Sequence, residues 1–216
     1  MKCIVTAGPT YEELDEVRRL TNFSTGKLGS LLANFLVEKG HSVTLLYGHY
    51  STHQGEQKAH ELHKFTTTAN LRDRLLSLSK QRVDAIFHAA AVSDFGFGKV
   101  FSQNAAGELT ELREQKISTR SGSLLAELVP TPKIISELRP HFPETQIVGW
   151  KYEVDGDRPA VLQKAGQQIR ENQTDACVAN GPAYGFGFGL VDAKSAHQHF
   201  SDTNLLFSAL EEIVRR

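Results

Sequence analysis

TAGPTYEELDEVRRLTNFSTGKLG, residues 6–29, follows a short apolar strand, Cys3-Ile4-Val5, and runs into a helical pattern that starts near Gly26. Small and hydroxylated residues where a strand turns into a helix let backbone N–H groups approach an anion at the positive helix end. The expected ligand group is a phosphate. The middle of the loop is long and charged, with Glu12, Glu13, Asp15, Glu16, Arg18 and Arg19, whereas a plain dinucleotide-binding turn is short and glycine-rich. Something besides a pyrophosphate is therefore expected to be handled here. Asn22 offers a donor and an acceptor, and Ser24 and Thr25 offer hydroxyls, just ahead of the Gly26-x-x-Gly29 helix start. That set is able to hold an oxyanion and to orient a neighbouring carbonyl.

Working outward, Leu28, Leu31, Leu32, Phe35 and Leu36 have helix spacing, which predicts a helix over 28–39 closed by Gly40. Residues 42–47 predict a buried strand, completing a right-handed β-α-β unit and hence a parallel sheet. An exposed polar loop over 49–63 precedes a short strand at 62–66, a helix over 71–78 capped by Thr68 or Asn70, and a strand over 83–88. Residues 96–107 lack periodicity and predict a mobile loop. Short strands are expected at 109–117 and 124–128 around a turn at 120–122, and Thr131-Pro132 reads as a helix start with Thr131 as N-cap. A strand at 146–150, a helix over 159–171, a strand at 175–180, a hairpin over 186–200 and a terminal helix over 204–216 complete the pattern.

At 216 residues the chain suits one α/β domain spanning 1–216 better than two small ones. The formal net charge of −1, with scattered cations, gives no footprint for nucleic acid or an anionic membrane. No apolar run reaches membrane-spanning length, and the N-terminus enters the first strand without a signal-peptide pattern. A cytoplasmic protein is expected. Cys3 and Cys177 lie in apolar strand-like runs, which fits reduced core thiols. His49, His53, His60 and His63 have suggestive spacings but no Cys or carboxylate shell, so no metal site is expected there. Gly185-Phe-Gly-Phe-Gly189 reads as a bent hairpin, because no helix opens behind it.

Ala89-Ala-Ala-Val-Ser-Asp94-Phe places small residues and one acid at the C-terminal end of a strand, the edge where open α/β sheets bind ligands. Taken singly, Asn22 reads as a helix cap, Asp94 as a loop acid and Lys116 as a solvated lysine.

In combination these segments resemble the phosphopantothenate–cysteine ligase (phosphopantothenoylcysteine synthetase) family, the second half of the bifunctional coenzyme A flavoprotein. Thr6, Gly8, Thr10, Glu12, Asp15, Val17, Arg18, Asn22, Ser24, Thr25, Gly26, Leu28 and Gly29 match its long first motif. Phe65–Ala69, Ala89–Phe95, Gln115–Ile117, Pro130–Ile135, Val148–Glu153 and Asp175–Asn180 resemble its later motifs, in the family's order. The resemblance implies a three-layer Rossmann-like fold with a mainly parallel sheet and a C-terminal β-hairpin extension, here free-standing, and a homodimer.

It also implies a chemistry. The carboxylate of 4′-phosphopantothenate attacks the α-phosphate of CTP or ATP, with Mg²⁺ on the triphosphate, and cysteine captures the acyl-nucleotide. Positioning and charge neutralisation suffice for this without a protein nucleophile. The implied catalytic residues are Asn22, for the acyl-phosphate, and Lys116, on a lid. Gly8, Thr10, Ala89, Ala90, Asp94, Lys116 and Trp150 are the implied nucleotide residues, and Arg18, Asn22, Ser24, Thr25 and Gly26 the substrate phosphate and acyl residues.

The departures from the family pattern are specific. Pro9 replaces the usual second glycine, Lys116-Ile-Ser-Thr119 carries two lysines fewer than the family's K-I-K-K, and Gly181 stands where an acid follows Ala-Asn. Residues 167–173 lack the family's lysines, leaving Lys164 and Arg170 nearby, with Lys151 as a substitute cation from another strand. Those losses keep a non-catalytic nucleotide-binding homologue open as an alternative. An NAD(P)-dependent reductase is disfavoured by the absence of G-x-G-x-x-G, of a ribose-binding acid after residues 42–47 and of a Tyr-x-x-x-Lys pair.

Overall fold

A computed structural model describes residues 1–112, 116–118 and 123–215. The first β-α-β unit is β1 (Lys2–Ala7), α1 (Lys27–Glu38) and β4 (Ser42–Gly48), with β2 (Tyr11–Glu13) and β3 (Arg19–Thr21) as a small ribbon inside the long first loop. Then come β5 (Glu61–Phe65), α2 (Thr68–Leu78) and β6 (Ala85–His88). Next are β7 (Phe95–Gln103), β8 (Leu109–Leu112) and β9 (Ser123–Pro130). The last part holds α3 (Ile134–His141), β10 (Gln146–Tyr152), α4 (Arg158–Asn172), β11 (Ala176–Asn180), β12 (Phe188–Asp192), β13 (His197–Phe200) and α5 (Thr203–Val214).

Eight strands form the main sheet in the order β13-β12-β11-β10-β6-β1-β4-β5. β5, β4, β1, β6, β10 and β11 run parallel, and β12 and β13 add antiparallel at one edge. α1 and α5 bury Leu32, Leu36, Phe207 and Leu210 on one face. α2 and α3 bury Leu71, Leu75 and Leu138 on the other, where α4 adds Val161, Ala165 and Ile169. The result is the three-layer α/β arrangement of a Rossmann-like fold, with the expected hairpin at its C-terminal edge. Strand order reverses between β1 and β6, so the ligand edge falls at the carboxyl ends of the strands beside that switch.

Local chemistry explains where elements begin. Asp157 accepts the Ala160 N–H to start α4, with Pro159 inside the first turn, and Asp202 accepts from Asn204 and Leu205 to start α5; such caps contribute about 1 kcal/mol each. The cap of α2 is Thr67 rather than Thr68 or Asn70: Thr67 accepts the Asn70 N–H, and Asn70 Oδ1 accepts the Thr66 N–H in return. Thr131 does not cap α3, whose N-cap is Lys133, because the Thr131 hydroxyl donates instead to the Ser93 carbonyl at 2.5 Å.

The expected loop over 96–107 is mostly strand. β7 pairs with β8 and β9 in a separate antiparallel sheet, and its register shifts between Phe97 and Val100. Gly98 sits in that bulge, where an added Cβ would lie 2.4 Å from the Glu127 carboxylate, and Lys99 N donates to that carboxylate at 3.0 Å. The missing periodicity there reflects a β-bulge at Gly98. The turn at 120–122, Gln115, Thr119 and the end of the terminal helix at Arg216 lie outside the described residues.

Candidate active site

The loop after β6 is stitched to the loop after β1. Ala90 N donates to Thr6 Oγ1 at 3.1 Å, Ala91 N to the Gly8 carbonyl at 3.0 Å, Thr10 N to the Ala91 carbonyl at 3.1 Å and Ser93 N to Thr10 Oγ1 at 2.8 Å. Asn22 donates through Nδ2 to the Val92 carbonyl at 3.0 Å, and its Oδ1 has no partner among the described residues. The small residues of 89–94 let these two backbones lie side by side.

Beyond that seam opens a cleft of about 520 Å³ at the carboxyl ends of β6 and β10. Ala90, Val92, Ser93 and Asp94 form one wall, Pro130–Ile135 the second, Trp150, Lys151 and Glu153 the third, and Lys164, Gln167, Gln168, Glu171 and Asn172 of α4 the last; His88 is its floor. Glu153 receives both Lys151, at 3.2 Å, and Lys164, at 2.5 Å. The hydrogen bond from Lys164, against the opposing effect of burial and reinforced by Lys151, holds its carboxyl below the usual range. The trio carries one net positive charge at neutral pH. Lys133 adds another, having no ion-pair partner among the described residues.

The start of α1 forms a second polar region. Gly26 has φ 75° and no side chain caps the helix; Thr25 Oγ1 accepts the Lys27 N–H at 3.2 Å. A Cβ on Gly26 would meet Tyr47 at 2.8 Å and Ser51 Oγ at 2.9 Å, and one on Gly8, with φ 88°, would meet Ser51 Oγ at 1.8 Å. Glycine is thus required at both places by conformation and by space. Ser51 Oγ itself is buried without a partner among the described residues.

A third feature lies at the tip of the β2–β3 ribbon. Asp15 Oδ1 accepts the N–H groups of Val17 and Arg18, Arg18 Nη1 reaches Asp15 Oδ2 at 2.9 Å, and the pair grips Ile117, whose neighbour is Lys116.

The structure brings Ala90, Asp94 and Trp150 together in the cleft, with Ala89 beside it. It does not bring Gly8 or Thr10 there. Thr10 has no exposed surface, and its hydroxyl holds Ser93 and Thr68. Arg18 binds Asp15 and the Ile117 carbonyl rather than standing free for an anion. Lys116 is exposed, while Ser24, Thr25 and Gly26 gather at the start of α1. Sequence reasoning missed His88, Lys133 and Glu153 as cleft residues. The signal for Glu153 was its place three residues after Trp150, at the end of the Val148–Glu153 segment that resembles a family motif.

A three-layer α/β chain with a polar cleft, where three lysines face three carboxylates at the carboxyl edge of a parallel sheet beside a strand-order switch, defines a Rossmann-like ligand-binding protein. Residues 1–203 match the DNA/pantothenate metabolism flavoprotein C-terminal domain. The chain belongs to that family. It is 31% identical over 222 residues to the coenzyme A biosynthesis bifunctional protein CoaBC of Bacillus subtilis, covering 98% of this chain and 50% of the relative. The CoaBC protein of Thermococcus kodakarensis is 32% identical over 181 residues, covering 83% of this chain and 41% of the relative. The chain thus spans about half the length of the curated relatives it matches. Among solved structures, the DNA/pantothenate metabolism flavoprotein of Streptococcus pneumoniae superposes with a TM-score of 0.85 at 26% identity, covering 100% of this chain and 98% of that one. A Cab2 mutant in complex with phosphopantothenate-cysteine has the same fold, with a TM-score of 0.75 at 21% identity over 100% of this chain and 85% of that one.

Proposed function

We propose that the chain is a phosphopantothenate–cysteine ligase acting as a single domain over 1–216. The observation that carries this reading is the cleft at the carboxyl edge, where Lys133, Lys151 and Lys164 stand on three walls in place of the lysines that residues 167–173 lack, with Asp94, Glu153 and Glu171 among them. Family membership and the ligand named for the Cab2 complex support the substrate class.

In this reading CTP or ATP occupies the cleft. Among the described residues no three His, Cys, Asp or Glu side chains converge as a metal cage, so Mg²⁺ would arrive on the triphosphate oxygens, which suits an ion that keeps most of its waters. The phosphate of 4′-phosphopantothenate would lie towards the open start of α1, near Ser24, Thr25 and Gly26. Its carboxylate oxygen forms a bond to the α-phosphorus as the bond to the β-phosphate oxygen breaks, and pyrophosphate leaves. The cysteine amine then forms the C–N bond, loses a proton to solvent, and releases the nucleoside monophosphate as the acyl–oxygen bond breaks. Lys116 offsets charge in the first step. Asn22, fixed through Nδ2 to Val92, orients the acyl-phosphate in the second with its amide.

The homodimer belongs to the same proposal. Leu124, Leu125, Leu128 and Val129 of β9 are each more than a third exposed, and a second copy seated on that sheet would cover them. Mass measurement in solution with Leu128→Lys checks it: a monomer for the variant and a dimer for the parent are expected. No described helix is long and apolar enough to cross a membrane; the proposed site of action is the cytoplasm.

Pyrophosphate release by purified protein with Mg²⁺ and phosphopantothenate, comparing CTP with ATP and each with and without cysteine, tests the activity. Turnover requiring every component is expected from one of the two nucleotides. Folded protein that releases no pyrophosphate with either would leave the non-catalytic homologue, the reading that the thinned lysines favour.

A further inference from the structure

His88 is the last residue of β6 and the floor of the cleft, and only 6% of its surface is exposed. Its two ring nitrogens have different surroundings. Nδ1 lies 3.0 Å from the hydroxyl of Thr6 in the neighbouring strand. Nε2 has no hydrogen-bond partner among the described residues, in a side chain that faces the cleft.

The Thr6 hydroxyl fixes which nitrogen carries the proton. Thr6 has no exposed surface, and its oxygen already accepts the Ala90 N–H at 3.1 Å. Its single hydrogen must go to an acceptor, and His88 Nδ1 is the one within reach among the described residues. If Nδ1 carried the proton instead, the threonine hydrogen would be buried with no acceptor, which native interiors avoid. Nδ1 therefore accepts, and the neutral ring bears its hydrogen on Nε2, directed at the cleft.

Burial also keeps the ring uncharged, pushing its pKa down to about 4. An uncharged ring brings one directed hydrogen and no charge to a cleft where Lys133, Lys151 and Lys164 already face a triphosphate, so what it adds is selection of an acceptor by position. A donor on a rigid central strand discriminates strongly, because a ligand without the matching acceptor leaves it buried and unpaired.

We propose that His88 Nε2–H is a specificity-determining donor that takes an uncharged oxygen or ring nitrogen of the nucleoside half of the ligand, with Thr6 as the residue that sets its tautomer. This rests on the reading of the cleft as a nucleotide site.

Two measurements on the full chain test it. Long-range ¹H–¹⁵N spectra of the histidine rings should show His88 as the Nε2–H tautomer from about pH 5.5 to 8, with its Nε2–H signal moving when nucleotide is added. The Nδ1–H tautomer, or a signal indifferent to nucleotide that binds, would overturn the proposal. Calorimetric titration with CTP, ATP and inorganic tripolyphosphate then separates the two halves of the ligand. His88→Leu should weaken the preferred nucleotide about 10-fold and leave tripolyphosphate within about 2-fold, since the ligand acceptor buried without its donor costs about that much. His88→Gln, which keeps an N–H in the same direction, should recover most of the loss, and it carries the comparison if the leucine variant does not fold. Equal binding by all three proteins, or parallel losses for tripolyphosphate, would remove His88 from recognition. A parent protein that binds neither nucleotide would instead fail the cleft reading itself.

Discussion

The backbone N–H of Ile117 donates to the carboxylate of Asp15 at 3.2 Å, across 102 positions of chain. Arg18 Nη2 donates to the carbonyl of the same Ile117 at 3.0 Å, so an ion pair replaces a strand on both polar groups of one residue. Ile117 is 3% exposed. The ribbon that makes this grip at its tip leads directly from β3 into Asn22, which is fastened to Val92 beside the cleft. Lys116 and Asn22 are thereby tied to one rigid ribbon.

Asp15→Asn keeps the size of the side chain and removes the charge that holds Arg18. Burial acts against ionisation of Asp15, but the N–H groups of Val17, Ile117 and Arg18, with the Arg18 charge, more than offset it and hold the carboxyl below its ordinary value. If Lys116 acts in activation, the variant should release pyrophosphate about 10-fold more slowly while nucleotide affinity stays within about 2-fold, since misplacing one catalytic group costs rate rather than binding. Single-turnover assays beside calorimetry check this, and a matching fall in affinity would contradict it.

Both thiols should resist modification in the folded protein. Cys3 and Cys177 are buried and free, and burial pushes each thiol up to about 12. The thiolate is the reactive form, so iodoacetamide at pH 8 should label neither until the chain opens. Labelling rates that follow unfolding in urea are the expected outcome; fast labelling in buffer would show an exposure that the fold does not have.

Much of the fold was legible because it follows from periodicity. The 3.6-residue spacing of Leu28, Leu32, Phe35 and Leu36 and the apolar runs at 42–47 and 83–88 depend on near neighbours in sequence, and α1, β4 and β6 lie where they predict. β7 was not legible, because its partners β8 and β9 come later in the chain and its bulge at Gly98 breaks the alternation. The site divides in the same way. Ala90 and Asp94 line the cleft, at the strand end where the sequence puts them. His88 looked like the end of that strand, because its meaning comes from Thr6, 82 residues earlier. The family resemblance implies Arg18 as a substrate phosphate or acyl residue, and only the fold supplies its partner carboxylate at Asp15.

Gly181 marks a place where the family's acid does not fit this backbone. Its φ is +112°, and a Cβ there would lie 2.4 Å from the Glu153 carbonyl oxygen and 2.8 Å from the Glu153 nitrogen. Both obstacles are main chain, which cannot turn aside. Gly181→Ala should therefore lower stability by about 2 kcal/mol or more, and Gly181→Asp at least as much, rather than restoring a family function. Urea midpoints measure it, and an unchanged midpoint for the alanine variant would refute the conformational argument.

The buried cluster at the far end of the sheet sets a pH response. His41 Nε2 lies 2.9 Å from Glu211 Oε1, with the two side chains 6% and 8% exposed, and Arg215 pairs with the same oxygen. Burial disfavours the Glu211 carboxylate, but Arg215 and then His41 outweigh it, so its pKa is held below the ordinary 4.5. A depressed folded-state pKa means that the unfolded chain binds the proton first as acid is added. The stabilisation from Glu211 is therefore complete above its ordinary value and is lost as the pH falls through 4.5 towards the folded-state value. Glu211→Gln should be less stable than the parent at pH 7, where it lacks the charge that Arg215 and His41 face. It should also lose less stability than the parent between pH 5 and about pH 3.5. Urea midpoints across that range decide the matter: converging curves are expected, and parallel curves would mean that the carboxylate titrates alike in both states.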